Sequence, residues 1–191
     1  MPGKRPLEPL VQDTGSTASA GDPISAHVAA GAGIAMLDSN MRYWLMKSEP
    51  SEFGIDDFAR APGKTTSWFG VRNYQARNFM RDDMKLGDQA FFYHSSCDVP
   101  GIAGIVEVAK LAYPDATQFD AKGKYFDPKS TREKPRWFNV DVRLVRKTRL
   151  LPLSELRAQP RLADMQLLQR GNRLSITPLD PAEWKFILSL L

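Results

Sequence analysis

The chain has 191 residues, with 26 Lys and Arg against 22 Asp and Glu and a formal net charge of +4. Its 42% hydrophobic and 25% charged residues suit a chain that folds around a core, which excludes a fibrous or wholly disordered protein. One cysteine excludes a disulfide scaffold and a multi-cysteine zinc site, two histidines are too few for a histidine-rich metal centre, and no apolar run reaches the roughly 20 residues of a membrane-spanning helix.

Residues 1–40 contain no aromatic residue and are dominated by small residues and proline without a sustained period, so they are expected to be a disordered tail. In that tail Lys4 and Arg5 stand against Glu8, Asp13, Asp22 and Asp38, which places the positive charge in residues 41–191, the expected folded domain. Tyr43-Trp44-Leu45-Met46 predicts a strand, ended near Pro50. Ile55, Phe58 and Ala59 predict a brief helix, and Ala76, Phe79, Met80 and Met84 a longer one over 74–83 with Asn73 as its N-cap. Segments 90–95 and 102–110 predict strands joined through a turn at Pro100-Gly101, and the alternation around Phe138, Val140, Val142 and Leu144 predicts another strand. Between them, Pro114 to Pro135 reads as a long polar excursion, a kind of loop that is often functional. Helices over 153–159 and 162–168 and a strand over 174–177 follow. Asp180, Pro181 and Glu183 then open a last helix reaching Leu191. Short, mostly antiparallel strands with peripheral helices imply a small α+β domain.

The densest polar and aromatic constellation runs from Trp68 to Asn78. On the helix that follows, Asn73, Arg77 and Arg81 recur at i,i+4 steps, and like charges at that spacing are mildly unfavourable unless an anion joins them. Arg72, Arg77, Asn78 and Arg81 are therefore read as a phosphate-binding set, with neutralisation by Asp82 and Asp83 as the alternative. Aromatic side chains near amides and guanidinium groups are what a pocket for an extruded base requires. Trp44, Trp68, Tyr74, Tyr93 and Trp137 are the candidates for stacking. The basic run Arg143, Arg146, Lys147, Arg149 either extends a phosphate surface or guards a strand edge with charge. His94 lies near Ser95 and Cys97, but neighbours on a strand face opposite ways and nothing in the sequence supplies an orienting acid.

Tyr43-Trp44-Leu45-Met46-Lys47-Ser48-Glu49-Pro50, the run Trp68-Phe69-Gly70-Val71-Arg72-Asn73-Tyr74-Gln75-Ala76-Arg77-Asn78, and Phe91-Phe92-Tyr93-His94-Ser95 together resemble the EVE domain. The resemblance continues through Ala112-Tyr113-Pro114-Asp115 and Arg173-Leu174-Ser175-Ile176, so it covers 42–191. It implies a PUA-like fold, a pseudo-β-barrel of mixed strands with flanking helices. It also implies binding of nucleic acid, DNA or RNA, with a modified base such as 5-methyl- or 5-hydroxymethyl-cytosine held in an aromatic-lined pocket. On this chain that pocket would draw on Trp44, Lys47, Ser48, Glu49, Trp68, Gly70, Arg72, Asn73, Tyr74, Tyr93, His94 and Ser95. Phe69 departs from the pattern, because some relatives have a polar residue there. The reading is recognition by base flipping without turnover, with no cofactor, no metal and no membrane. The lone cysteine implies a reducing compartment, cytoplasmic in a bacterium or nuclear in a eukaryote. Two alternatives stay open: an enzyme acting on RNA or modified nucleotides through His94 with Ser95 or Cys97, and a small-molecule-sensing domain.

Overall fold

A computed structural model describes residues 41–191; the expected disordered tail, 1–40, lies outside the described residues. Strand β1 (Tyr43–Ser48) pairs in parallel with β3 (Gln89–His94), Lys47 opposite Tyr93 and Ser48 opposite His94. β3 runs antiparallel to β4 (Gly101–Pro114), and β4 to β5 (Phe138–Pro152). The short β2 (Thr65–Ser67) extends β5 at one edge, and β6 (Ile176–Leu179) extends β1 at the other. The order is β2-β5-β4-β3-β1-β6, one mixed sheet that is not closed. The α+β class and the mixed, mostly antiparallel strands are as expected, and the pseudo-barrel is an open one.

Period-2 alternation gives this sheet two buried faces. On the first face Trp44 and Met46 of β1 join Phe92, Val106 and Val142 under α1 (Ile55–Arg60) and α2 (Tyr74–Asn78). On the second face Tyr43 and Leu45 join Phe91, Tyr93 and Leu151 under α3 (Leu153–Arg157) and α4 (Pro181–Leu188). Trp184 of α4 locks that face, stacked on Tyr43 at 4.6 Å and on Phe91 at 4.0 Å between ring centroids. Covering both faces is what makes the β1 segment read as a continuous apolar run rather than an alternation.

Several predicted elements change form. The helix expected over 74–83 is α2 followed by a π turn, Phe79–Asp83, whose closing bond runs from the Met84 N–H to the Phe79 carbonyl at 2.9 Å. Ala76, Met80 and Met84 are all buried, so the wider turn keeps the i,i+4 stripe on the core. The helix expected over 162–168 is two 3-10 turns, Pro160–Leu162 and Gln166–Leu168, which bury Leu162 and Leu167 without a continuous helix. The late strand lies at 176–179 rather than 174–177, where Ile176 and Thr177 pair with Met46 and Leu45. β5 runs on through the basic run to Pro152, and α4 stops at Leu188. The caps follow the sequence: Asn73 Oδ1 accepts from the Ala76 N–H at 3.1 Å, and Glu183 accepts from the Asp180 N–H at 3.0 Å.

Gly101 opens β4 against β5 with no space beside it, since a Cβ there would lie 2.4 Å from the Leu151 carbonyl oxygen. Gly101→Ala is expected to destabilise the fold by about 1–3 kcal/mol through forced backbone shifts. A urea-denaturation midpoint equal to that of the parent would contradict the tight β4–β5 junction.

Candidate nucleic-acid interface

The chain leaves β2 through Trp68-Phe69-Gly70-Val71-Arg72, and that segment is fixed by a carboxylate 45 residues away. The Asp115 side chain, 1% exposed, accepts from the Gly70 N–H at 2.9 Å, from Arg72 Nη1 at 2.9 Å and from the Thr117 N–H at 2.9 Å. The Thr117 hydroxyl adds a fourth bond at 2.6 Å. Burial pushes the Asp115 carboxyl up, but these donors together outweigh it and hold the group below the ordinary carboxylate range. The rest of the Arg72 guanidinium reaches the excursion, Nε and Nη2 donating to the Tyr125 carbonyl at 2.9 and 2.5 Å and Nη2 to Thr117 Oγ1 at 3.0 Å.

These bonds set Tyr125 over Gly70. The glycine has φ +81°, and a Cβ on it would lie 2.7 Å from Tyr125 Cζ. This close approach requires glycine twice over, for its conformation and for its missing side chain. Phe69, 53% exposed, meets the Tyr125 ring edge-on at 6.0 Å. Trp68 lies deeper, edge-on to Phe92 at 5.9 Å. On the opposite wall Glu52 is ion-paired with Lys124 and reached by the Tyr125 hydroxyl at 3.4 Å. The Lys124 hydrogen bond and charge hold the Glu52 carboxyl below its ordinary range. Between these walls is a cleft of about 410 Å³, reached also by Lys47, Ser48 and Glu49 from the end of β1.

Of the residues predicted for a base pocket, the cleft gathers Lys47, Ser48, Glu49, Trp68, Gly70 and Arg72. The other six lie elsewhere. Trp44 is in the core, its indole Nε1 donating to Asp88 Oδ2 at 3.0 Å. Asn73 caps α2, and Tyr74 lies on an outer patch. Tyr93 and Ser95 face a second groove on the other side of the sheet. His94 Nε2 accepts from the Ile55 N–H at 3.1 Å, and the Ser95 hydroxyl donates to the Ser48 carbonyl at 3.3 Å, so each is engaged with backbone rather than with the other. Sequence reasoning missed Glu52, Lys124 and Tyr125. The signal it passed over was the adjacent Tyr125-Phe126 pair, which with Phe119 makes three aromatic residues in a mostly polar excursion.

The predicted phosphate set divides. Arg72 directs all three guanidinium nitrogens to acceptors within the protein. Arg81 pairs with Asp82 at 2.7 Å, which is the neutralisation weighed as the alternative. Arg77 donates only to neutral acceptors, Asn78 Oδ1 at 2.6 Å and the Arg136 carbonyl at 2.8 Å, so its charge stays available at the surface. Beside it Tyr74, 46% exposed, stacks on Trp137 at 4.9 Å, with the Arg77 guanidinium 4.8 Å from the Tyr74 ring. The basic run from Arg143 to Arg149 is largely neutralised, Arg143 by Glu107, Lys147 by Asp56 and Arg149 by Glu155, each at 2.5 Å.

Residues 42–190 match the EVE domain. The chain is 50% identical to thymocyte nuclear protein 1 of Gallus gallus over 166 residues, 78% of this chain and 68% of that protein. The crystal structure of the human THYN1 protein in complex with 5-methylcytosine-containing DNA is similar with a TM-score of 0.74 and 47% identity, over 78% of this chain and 96% of that one. A Pseudomonas syringae protein matches with a TM-score of 0.74 and 50% identity, over 78% of this chain and 98% of the other.

Burial lowers the His94 pKa from its ordinary 6.5, and its Nε2 serves as an acceptor only while neutral. The unfolded chain protonates His94 near pH 6.5 and the folded chain only at lower pH, so stability falls as pH drops through about 6.5 and the loss is complete below the folded-state pKa. His94→Gln should flatten the denaturation midpoint between pH 7 and about pH 5; an unchanged slope would contradict this role. Asp115→Ala leaves Arg72 half-buried without its carboxylate and is expected to lower stability by about 3 kcal/mol or more. A midpoint within experimental error of the parent would show that Asp115 does not hold the cleft together.

Proposed function

The chain belongs to the EVE domain family, and on that premise we propose that it binds nucleic acid and receives one extruded base in the cleft under Tyr125. The base is one carrying a 5-position mark, such as 5-methyl- or 5-hydroxymethyl-cytosine. The observation that supports this most is the human relative, 47% identical and solved with 5-methylcytosine-containing DNA. The geometry supplies the chemistry such an occupant needs. The volume of about 410 Å³ falls within the roughly 300–1,000 Å³ range of small-molecule pockets. Phe69, Tyr125 and Trp68 offer ring surfaces for stacking, and Ser48, Glu49 and Glu52 offer polar groups for a base edge. A methyl group in an apolar niche adds about 0.8 kcal/mol.

In this reading Arg72 is a positioning residue. It holds the Tyr125 carbonyl and thereby the ring, while Arg77 and the Tyr74–Trp137 stack receive the flanking strand. Recognition proceeds without turnover, because extrusion and stacking need no nucleophile or general base. Among the described residues no helix is long and apolar enough to cross a membrane.

The test is fluorescence-anisotropy binding of the full chain to duplexes that differ only in one 5-methyl group. Phe69→Ala and Tyr125→Ala should each weaken binding to the methylated duplex by about 1–3 kcal/mol, roughly 5- to 150-fold, as loss of a stacking surface does. Gly70→Ala, which pushes Tyr125 away, should act in the same direction. If all three folded variants bind as tightly as the parent, the cleft is not where the base goes.

A further inference from the structure

The second groove lies on the opposite face of the sheet, beyond the ends of the parallel pair β1 and β3. Its volume is about 540 Å³, and it is walled by Tyr93, Ser95 and Ser96 on one side and by α3 and the loop 167–172 on the other. Three cations line it, Lys47, Arg157 and Arg170, and no carboxylate does. None of the three is in an ion pair among the described residues, whereas Arg72, Arg81, Arg143 and Arg149 each have a carboxylate partner. Lys47 is the unusual one. Its half-buried position lowers its pKa by desolvation, yet no acid compensates it, and a buried charge without a partner is unfavourable. Lys47 also reaches the cleft on the first face, so one side chain borders both cavities.

We propose that this groove is a phosphate site, filled by a backbone phosphodiester of the strand whose base occupies the cleft, with Lys47, Arg157 and Arg170 as its cations. The inference rests on the base-binding reading above and deepens it. A base in the cleft brings its own strand to the sheet end, and Lys47 there is common to both walls. Arg157 and Arg170 are exposed, so a strand continuing past β1 and β3 meets them without any rearrangement of the core. The two sites divide the work of recognition. The cleft selects the base, and the groove fixes the backbone and carries no sequence information.

The experiment compares the parent with Arg157→Ala/Arg170→Ala, two surface substitutions that leave the core intact, on methylated and unmethylated duplexes across a salt series. The double variant should bind both duplexes more weakly by the same factor, with an unchanged preference between them. Its log–log salt slope should be shallower by about 1, for the one phosphate that the groove neutralises in the parent. An unchanged slope and affinity would overturn the groove while leaving the cleft reading intact. If the parent bound no oligonucleotide, the cleft reading would fail, and titration with inorganic phosphate would judge the groove. Shifts of the Lys47 and Arg157 resonances in the parent, and none at Lys47 in the double variant, would keep it as a phosphate site, and no shift in the parent would overturn it.

Discussion

One buried carboxylate, Asp115, holds together the parts from which the cleft is built. It takes a backbone donor from Gly70, a guanidinium donor from Arg72 and two donors from Thr117. Those residues belong to two stretches far apart in the chain, the exit of β2 and the beginning of the 115–137 excursion. A carboxylate out of water is tolerated only when its oxygens are saturated by donors, and here they are. The consequence is a fixed distance between Gly70 and Tyr125, and with it the width of the cleft. Arg72 transmits the constraint, because the guanidinium that pairs with Asp115 also binds the Tyr125 carbonyl.

The sheet supplies the other half of the arrangement. β1 and β3 run parallel and stop together at Ser48 and His94, and the Ser95 N–H continues the pairing onto the Ser48 carbonyl at 2.8 Å. Beyond that shared end the chain departs to both faces, leaving the cleft on one side and the basic groove on the other. Ser96 binds Glu49 at 3.1 Å from a left-handed backbone conformation, φ +53°, so the two departing loops are tied to each other. Lys47 sits at the junction, half-buried and bordering both cavities.

Much of the fold was legible in the sequence because its elements carry local signals. The Asn73 and Asp180 caps, the Ala76, Met80 and Met84 stripe and the alternation through Val140 and Val142 are each set within a few residues of chain. Parallel pairing of β1 with β3 was not legible, since nothing local to Tyr43–Ser48 encodes the direction of a partner 46 residues on. The site was half legible. Trp68 stood out by type, and Gly70 and Lys47 through the family resemblance, but Tyr125 reaches the cleft only through the Asp115 knot, a tertiary contact. The same knot explains Arg72. By its type and its place just before the helix it reads as a cation for phosphate, and its partner Asp115 lies 43 residues away. The Tyr74 and Trp137 rings likewise meet only in space, although each was a candidate for stacking.

The location of the base is the central claim, and photo-cross-linking tests it most directly. A duplex carrying 5-iodocytosine, with iodine at the position of the methyl group, would be irradiated with the full chain and the linked residue mapped by mass spectrometry. The account predicts linkage to Phe69, Tyr125 or Trp68. Linkage confined to Tyr74 or Trp137 would place the base on the outer patch and contradict it.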